Sequence, residues 1–167
     1  MADDPQNKNL QQNLFETPSV NMQQTGYAVM YCDGASSGNP GHSGIGVSIT
    51  LTDEDAGILG TDKQHDISEY IGEATNNVAE YSALIKGLET ARELGIRKIK
   101  VYLDSELLVR QMSGVYKVKN KNLISLWKKA KDILKDFDSC NISHVRRELN
   151  KDADALARKA SLGRGLR

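Results

Sequence analysis

Three short stretches of strand-like patterning precede the first helical one, and that order leaves few folds open. The stretch "GYAVMYCD" is an apolar run, "SGIGVSITL" alternates after a glycine turn, and "HDISEYIGE" alternates again. The links between them, "GASSGNPGH" and "TDEDAGILGTDKQ", are short and polar, which predicts an antiparallel meander. At Asn76 the period changes. "NNVAEYSALIKGLETARELG" sets Val78, Tyr81, Ala83, Leu84, Leu88 and Ala91 on one helical stripe, and Gly95 supplies a stop signal. "IRKIKVYLD" then reads as a fourth strand, and "SELLVRQMSG" as a short helix with Ser105 at its N-cap. "NLISLWKKAKDILKDF" is an amphipathic helix with Leu123, Leu126, Trp127, Ala130, Ile133 and Leu134 facing inward. "CNISHVRRE" is a fifth strand and "NKDADALARKASL" a closing helix. The expected fold is α/β, a mixed sheet with helices packed against it.

A chain of 167 residues, 39% hydrophobic and 26% charged, can bury one good core. We expect one domain over residues 26–162, after a Gln- and Asn-rich polar tail over 1–25 and before a short tail over 163–167. Two cysteines, Cys32 and Cys140, are too few for a disulfide framework and lack metal-ligand spacing. With no stretch near the roughly 18 apolar residues of a membrane span and no signal pattern, the expectation is a soluble, cytoplasmic monomer. The 22 basic and 22 acidic residues cancel and single out no partner. Their distribution is less even: between Lys117 and Lys135 seven lysines face one acid, Asp132. Such a run is either a solvated helix face or a surface for phosphates.

Four acids fall where a strand stops or a helix begins. Asp33 ends the first strand, Glu80 lies in the first turns of the first long helix, Asp104 ends the fourth strand, and Asp154 opens the last helix. Taken singly, each is an ordinary turn former or helix-dipole partner. Together they can converge at one edge of the sheet, the usual place for a site in this fold class. Carboxylates so placed raise one another's pKa unless a cation neutralises them. A donor set of hard oxygens without histidine or cysteine suits Mg²⁺ or Mn²⁺, and a pair of such ions activates water for phosphodiester hydrolysis. Asp152, two residues before Asp154 and on a different helical face, is the rival at this helix start.

The segments "YCDGASSGNPGHSGIG", "EATNNVAEYSALIKGLETA", "VYLDSELLVRQMSG" and "HVRRELNKDADALARKA" together resemble type 1 ribonuclease H, in its small branch without the basic protrusion. The likeness spans Tyr27 to Ser161. It implies a five-stranded mixed sheet with strands one to three antiparallel. It also implies two Mg²⁺ ions, replaceable by Mn²⁺, held by Asp33, Glu80, Asp104 and Asp154, the last placed by "ADALA" at the family position, which leaves Asp152 a solvated first-turn acid. The implied activity is hydrolysis of the RNA strand of RNA–DNA hybrids, leaving a 5′-phosphate and a 3′-hydroxyl. The alternative is a non-catalytic nucleic-acid-binding module of the same fold, against which the presence of all four acids argues.

By the same resemblance Asn39, Asn76 and Asn77 meet the hybrid's minor groove, where amides can donate to and accept from 2′-hydroxyls. For Asn76 and Asn77 helix capping is the competing role, and for Ser105 the choice is between capping and a substrate contact beside Asp104. Glu106 stands where relatives often carry glutamine. Lys119 and Asn120 fall on the implied path of the DNA strand's phosphates, with Lys117, Lys121, Lys128 and Lys129 as further phosphate contacts. The glycines after Asp33 are expected to let a nucleic-acid backbone come close. Trp127 and Tyr81 belong to apolar stripes, and His42 in the glycine loop is expected to be exposed. His144 falls inside a strand pattern and is expected to pack there, so Arg147 takes the loop position beside the metals.

Overall fold

The computed structural model describes residues 23–163, and the residues before and after these lie outside the description. The chain runs β1 (Ala28–Ser36), β2 (Gly41–Thr50), α1 (Asp53–Leu59), β3 (Gln64–Ala74), α2 (Asn76–Glu93), β4 (Lys98–Leu103), α3 (Glu106–Met112), α4 (Lys121–Leu134), β5 (Ser139–His144) and α5 (Lys151–Leu162). The five strands lie in the order β3-β2-β1-β4-β5. β1, β2 and β3 pair antiparallel, whereas β4 runs parallel to β1 and β5 parallel to β4. The expected mixed sheet and its antiparallel half are present.

Period-two patterning explains the layers. Ala28, Met30 and Cys32 of β1, with Ile99, Val101 and Leu103 of β4, are all buried, and they form one core with the apolar stripe of α2 and the inner residues of α4. Tyr81 is 1% exposed and donates its hydroxyl to Gln111 Oε1 at 2.7 Å. Trp127 packs on the same core and gives its ring N–H to the Gln111 carbonyl at 3.2 Å. Both aromatic rings are therefore core groups, as their stripes predicted.

Glycines set the distance between helices and sheet. A Cβ on Gly34 would lie 2.3 Å from the Ala79 carbonyl carbon and 2.4 Å from the Glu80 nitrogen, so α2 rests directly on the backbone of β1. On the opposite face, a Cβ on Gly46 would lie 2.1 Å from the Ala153 oxygen, and one on Gly44 would lie 2.5 Å from the Ala157 oxygen. These glycines thus receive helices, where the sequence suggested an approaching nucleic-acid backbone.

Two further features depart from expectation. The segment between β2 and β3 holds the helix α1, capped by Thr52, whose hydroxyl accepts from the Asp55 N–H at 3.0 Å, and stopped by Gly60 at φ 66°. Seven residues are too few to show a helical apolar period, so only the cap signals mark it. The tail boundary at residue 25 also falls late. Gln24 is 5% exposed, donates to the Lys98 carbonyl at 2.8 Å and accepts from the Arg97 and Lys98 N–H groups at 2.8 and 2.9 Å. The fully buried Asp55 accepts from the Thr25 and Gly26 N–H groups at 2.7 and 3.0 Å. Burial alone would raise its carboxyl, and these hydrogen bonds hold it below the ordinary value. The rest of the expected N-terminal tail, and the C-terminal one beyond Gly163, lie outside the described residues.

Gly46→Ala should destabilise the protein by about 1–3 kcal/mol or more, because backbone atoms of α5 must retreat. Gly57→Ala, in α1 with nothing within 4 Å of the added methyl, should be neutral or stabilising by up to about 1 kcal/mol. Thermal melts of the two variants beside the parent check this contrast.

Candidate active site

The packing that seats α2 and α5 also delivers their acids. Asp33 pairs with Gly46 across β1 and β2, so its side chain leaves the sheet on the face where α5 lies against Gly46. Gly34 faces the other way, onto Ala79 and Glu80. β4 is parallel to β1 and brings Asp104 to the same end of the sheet. The result is a cleft of about 500 Å³ whose walls include Asp33, Glu80, Asp104, Asp154, Asn76 and Arg147.

Within it, ligand oxygens of Asp33, Glu80 and Asp104 all lie within 4.8 Å of one another. Asp33 is 5% exposed, and its carboxyl is pushed up to about 8, first by burial, then by the charge of Asp104 and by a hydrogen bond with Asp154. Glu80 is also raised by burial and by Asp104, and is drawn back by a hydrogen bond from the Ser105 hydroxyl and by the charge of Arg147. One oxygen of Asp104 is buried without any hydrogen-bond partner. Hard oxygens crowded this closely, one of them unpartnered, fit a divalent cation. Asp154 stands apart from this triad: it meets Asp33, and the Arg158 guanidinium holds both its oxygens, Nε lying 3.1 and 3.0 Å from them.

The amides divide. Asn39 turns its Oδ1 to the Asn76 N–H at 3.1 Å and thereby braces the start of α2. Thr75 is the cap of that helix, accepting from the Val78 N–H at 3.3 Å, which leaves the side chains of Asn76 and Asn77 exposed and excludes the capping role for both. Ser105 caps α3 through the Leu108 N–H at 3.3 Å, which is one of the two roles considered for it, and its hydroxyl lies beside Glu80. Glu106 is paired with Arg110 at 2.8 Å. Lys119 and Asn120 are exposed but outside the acid cleft, and Asn120 caps α4 through the Asn122 N–H at 2.9 Å. Lys117 borders a separate apolar groove with Tyr116 and Trp127, and Lys129 pairs with Glu89 at 3.2 Å.

His144 is a correction. It closes β5 opposite Leu103, as the strand pattern required, yet its side chain is exposed. β5 is an edge strand and nothing covers that position, so the expected packing is absent. His42 is half-buried rather than exposed, with Nδ1 2.6 Å from the Tyr70 hydroxyl. Arg147 opens a single 3-10 turn after β5 and reaches the cleft. Asp152 is exposed, as expected. Sequence reasoning missed Arg158, although its spacing of four from Asp154 on one helix was legible. It also missed Asn150, 1% exposed, whose side-chain amide donates to the Cys32 carbonyl at 3.1 Å and ties the start of α5 beneath Asp33.

The family described as "Reverse transcriptase-like" matches residues 31–160. The ribonuclease HI of Halobacterium salinarum is 38% identical over 144 residues, 86% of this chain and 69% of its own length. The chain belongs to the ribonuclease HI family. A bifunctional protein of Mycobacterium tuberculosis is 42% identical over 132 residues, and there the match covers 79% of this chain but spans only 35% of the relative. Among solved structures, LC11 ribonuclease H1, isolated from compost and crystallised with an RNA/DNA hybrid, superposes with a TM-score of 0.72 at 40% identity, covering 84% of this chain and 99% of that one. Family membership accounts for the four motifs at once, since they are the four pieces of chain that meet at this cleft. No helix among the described residues is long and apolar enough to cross a membrane.

Because Asp33 holds its proton more tightly folded than unfolded, the stability this contributes is complete below 3.8 and is lost as pH rises toward 8. In chelator, Asp33→Asn should melt with the parent at pH 4 and above it by several °C at pH 8, about 2–4 °C for each kcal/mol of repulsion removed. Melting curves across that pH range check the divergence; parallel curves count against the buried charge cluster.

Proposed function

We propose that this chain is an endoribonuclease that hydrolyses the RNA strand of RNA–DNA hybrids with two divalent cations, Mg²⁺ or Mn²⁺, leaving a 5′-phosphate and a 3′-hydroxyl. The observation that carries this reading is the all-carboxylate triad Asp33, Glu80 and Asp104, its oxygens within 4.8 Å of one another, in a chain similar to a ribonuclease H1 crystallised with such a hybrid. Bound cations would lower the pKa of water and stabilise the leaving oxygen.

The chain's own groups do the rest. The triad and Asp154 would hold the cations, and the Ser105 hydroxyl beside Glu80 favours its carboxylate form. Asn76 and Asn77, exposed at the first turn of α2, present amides to 2′-hydroxyls, and Asn39 keeps that turn in place through the Asn76 N–H. Arg147 on the cleft wall binds the scissile or departing phosphate. A guanidinium offers a planar fork of donors that matches phosphate oxygens and has no acceptor, which suits it to that and not to general-base work. Lys119, Asn120 and their basic neighbours lie on the surface beyond the cleft and attract the DNA strand's phosphates, which makes binding salt-dependent.

Labelled RNA–DNA hybrid, double-stranded RNA and double-stranded DNA, each incubated with Mg²⁺, test the proposal. Only the hybrid should be cut, and equal cutting of the all-DNA duplex would overturn it. Asp104→Asn should retain less than a tenth of parental activity while keeping its fold.

Arg147→Ala should slow kcat by roughly 10- to 100-fold, on the order of 1.4–2.7 kcal/mol of barrier, with little change in melting temperature. His144→Ala, exposed at a sheet edge, should stay within about 0.5 kcal/mol of parental stability and keep its turnover. Turnover at saturating Mg²⁺ alongside melting curves separates the two residues.

A further inference from the structure

Asp154 is the one acid of the four that already has a cationic partner. The Arg158 Nε lies 3.1 and 3.0 Å from its two oxygens, one helical turn further along α5 and on the wall of the same cleft. A divalent cation at Asp154 and a guanidinium at that distance repel each other. One of the two must move. The Arg158 side chain is 61% exposed against 21% for Asp154, so it can swing away at little cost in packing. A nucleic-acid phosphate entering the cleft offers it a better, bidentate partner. Asp33, Glu80 and Asp104 have no such competitor: Arg147 acts on Glu80 only as a neighbouring charge.

We propose that Arg158 is a positioning residue that withholds Asp154 from the second cation until a substrate phosphate draws the guanidinium off. The inference rests on the metal-dependent reading above and adds an order of events to it. The triad takes its cation with or without nucleic acid. The fourth carboxylate becomes available to a second cation only as the hybrid's backbone settles beside α5.

The test is binding of Mn²⁺ to the full chain in the absence of nucleic acid, followed by electron paramagnetic resonance of the free ion. Wild type should show one tight site and a second at least tenfold weaker. Arg158→Gln should tighten the weak site at least fivefold and leave the tight one unchanged, whereas Arg158→Lys, which keeps the charge, should stay within about twofold of wild type. In chelator, where no cleavage occurs, fluorescence anisotropy should show hybrid affinity reduced at least threefold by Arg158→Gln, with the salt dependence shallower by about one phosphate contact. A weak site unchanged in Arg158→Gln overturns the competition, and unchanged hybrid affinity overturns the handover to phosphate. Absence of any Mn²⁺ binding by wild type overturns both this inference and the metal-dependent reading. Two wild-type sites indifferent to Arg158 overturn the inference alone.

Discussion

Backbone-to-backbone contact at three glycines governs this molecule. Where α2 meets Gly34 and α5 meets Gly44 and Gly46, an added Cβ would fall within 2.6 Å of helix backbone. Helices seated on side chains slide and tilt as those side chains change rotamer, whereas helices seated on main chain have no such freedom. That rigidity is what the acids need. Four carboxylates brought together without a fixed frame would spread apart under their own repulsion, and here the frame is continuous from β1 to both helices. The hydrogen bond from Asn150 to the Cys32 carbonyl closes the arrangement, tying the start of α5 to the strand that carries Asp33.

The cost of the frame is visible in the acids themselves. Burial and mutual charge raise Asp33 and Glu80, and Asp104 keeps one buried oxygen without a partner. Folding therefore stores unfavourable electrostatics at one end of the sheet, which a bound cation would release. Cys32, fully buried beneath this cluster, is pushed well above its ordinary range first by burial and then by the neighbouring acids, so the thiol stays protonated and serves as a small apolar core group.

Much of this was legible in the sequence because period-two and 3.6-residue patterns lie in long segments. The five strands, α2, α4 and α5 are of that kind; Asp104 directly follows β4 as expected, whereas Asp33 does not end its strand, because the pairing of β1 with β2 runs on to Ser36. α1 escaped because seven residues hide a period and its Thr-capped start resembles a turn. His144 escaped for another reason: alternation identifies a strand but not which strand lies at the sheet edge, and burial there depends on neighbours the sequence does not name. The glycines of the first motif were visible, yet their partners on α2 and α5 lie far along the chain, so only the assembled fold shows what presses on them. Gln24 and Asp55 are similar, two polar residues joined through a part of the chain with no apolar signal.

The two ends of the described chain sit very differently with respect to the cleft. Gln24 is fastened to Arg97 and Lys98, at the start of β4, while the acids lie beyond its last residue, roughly 20 Å away at strand rise. Leu162, at the end of α5, forms part of the cleft wall itself. The described chain therefore enters far from the site and leaves at its rim, so of its two ends only the one at Leu162 shapes the mouth of the cleft.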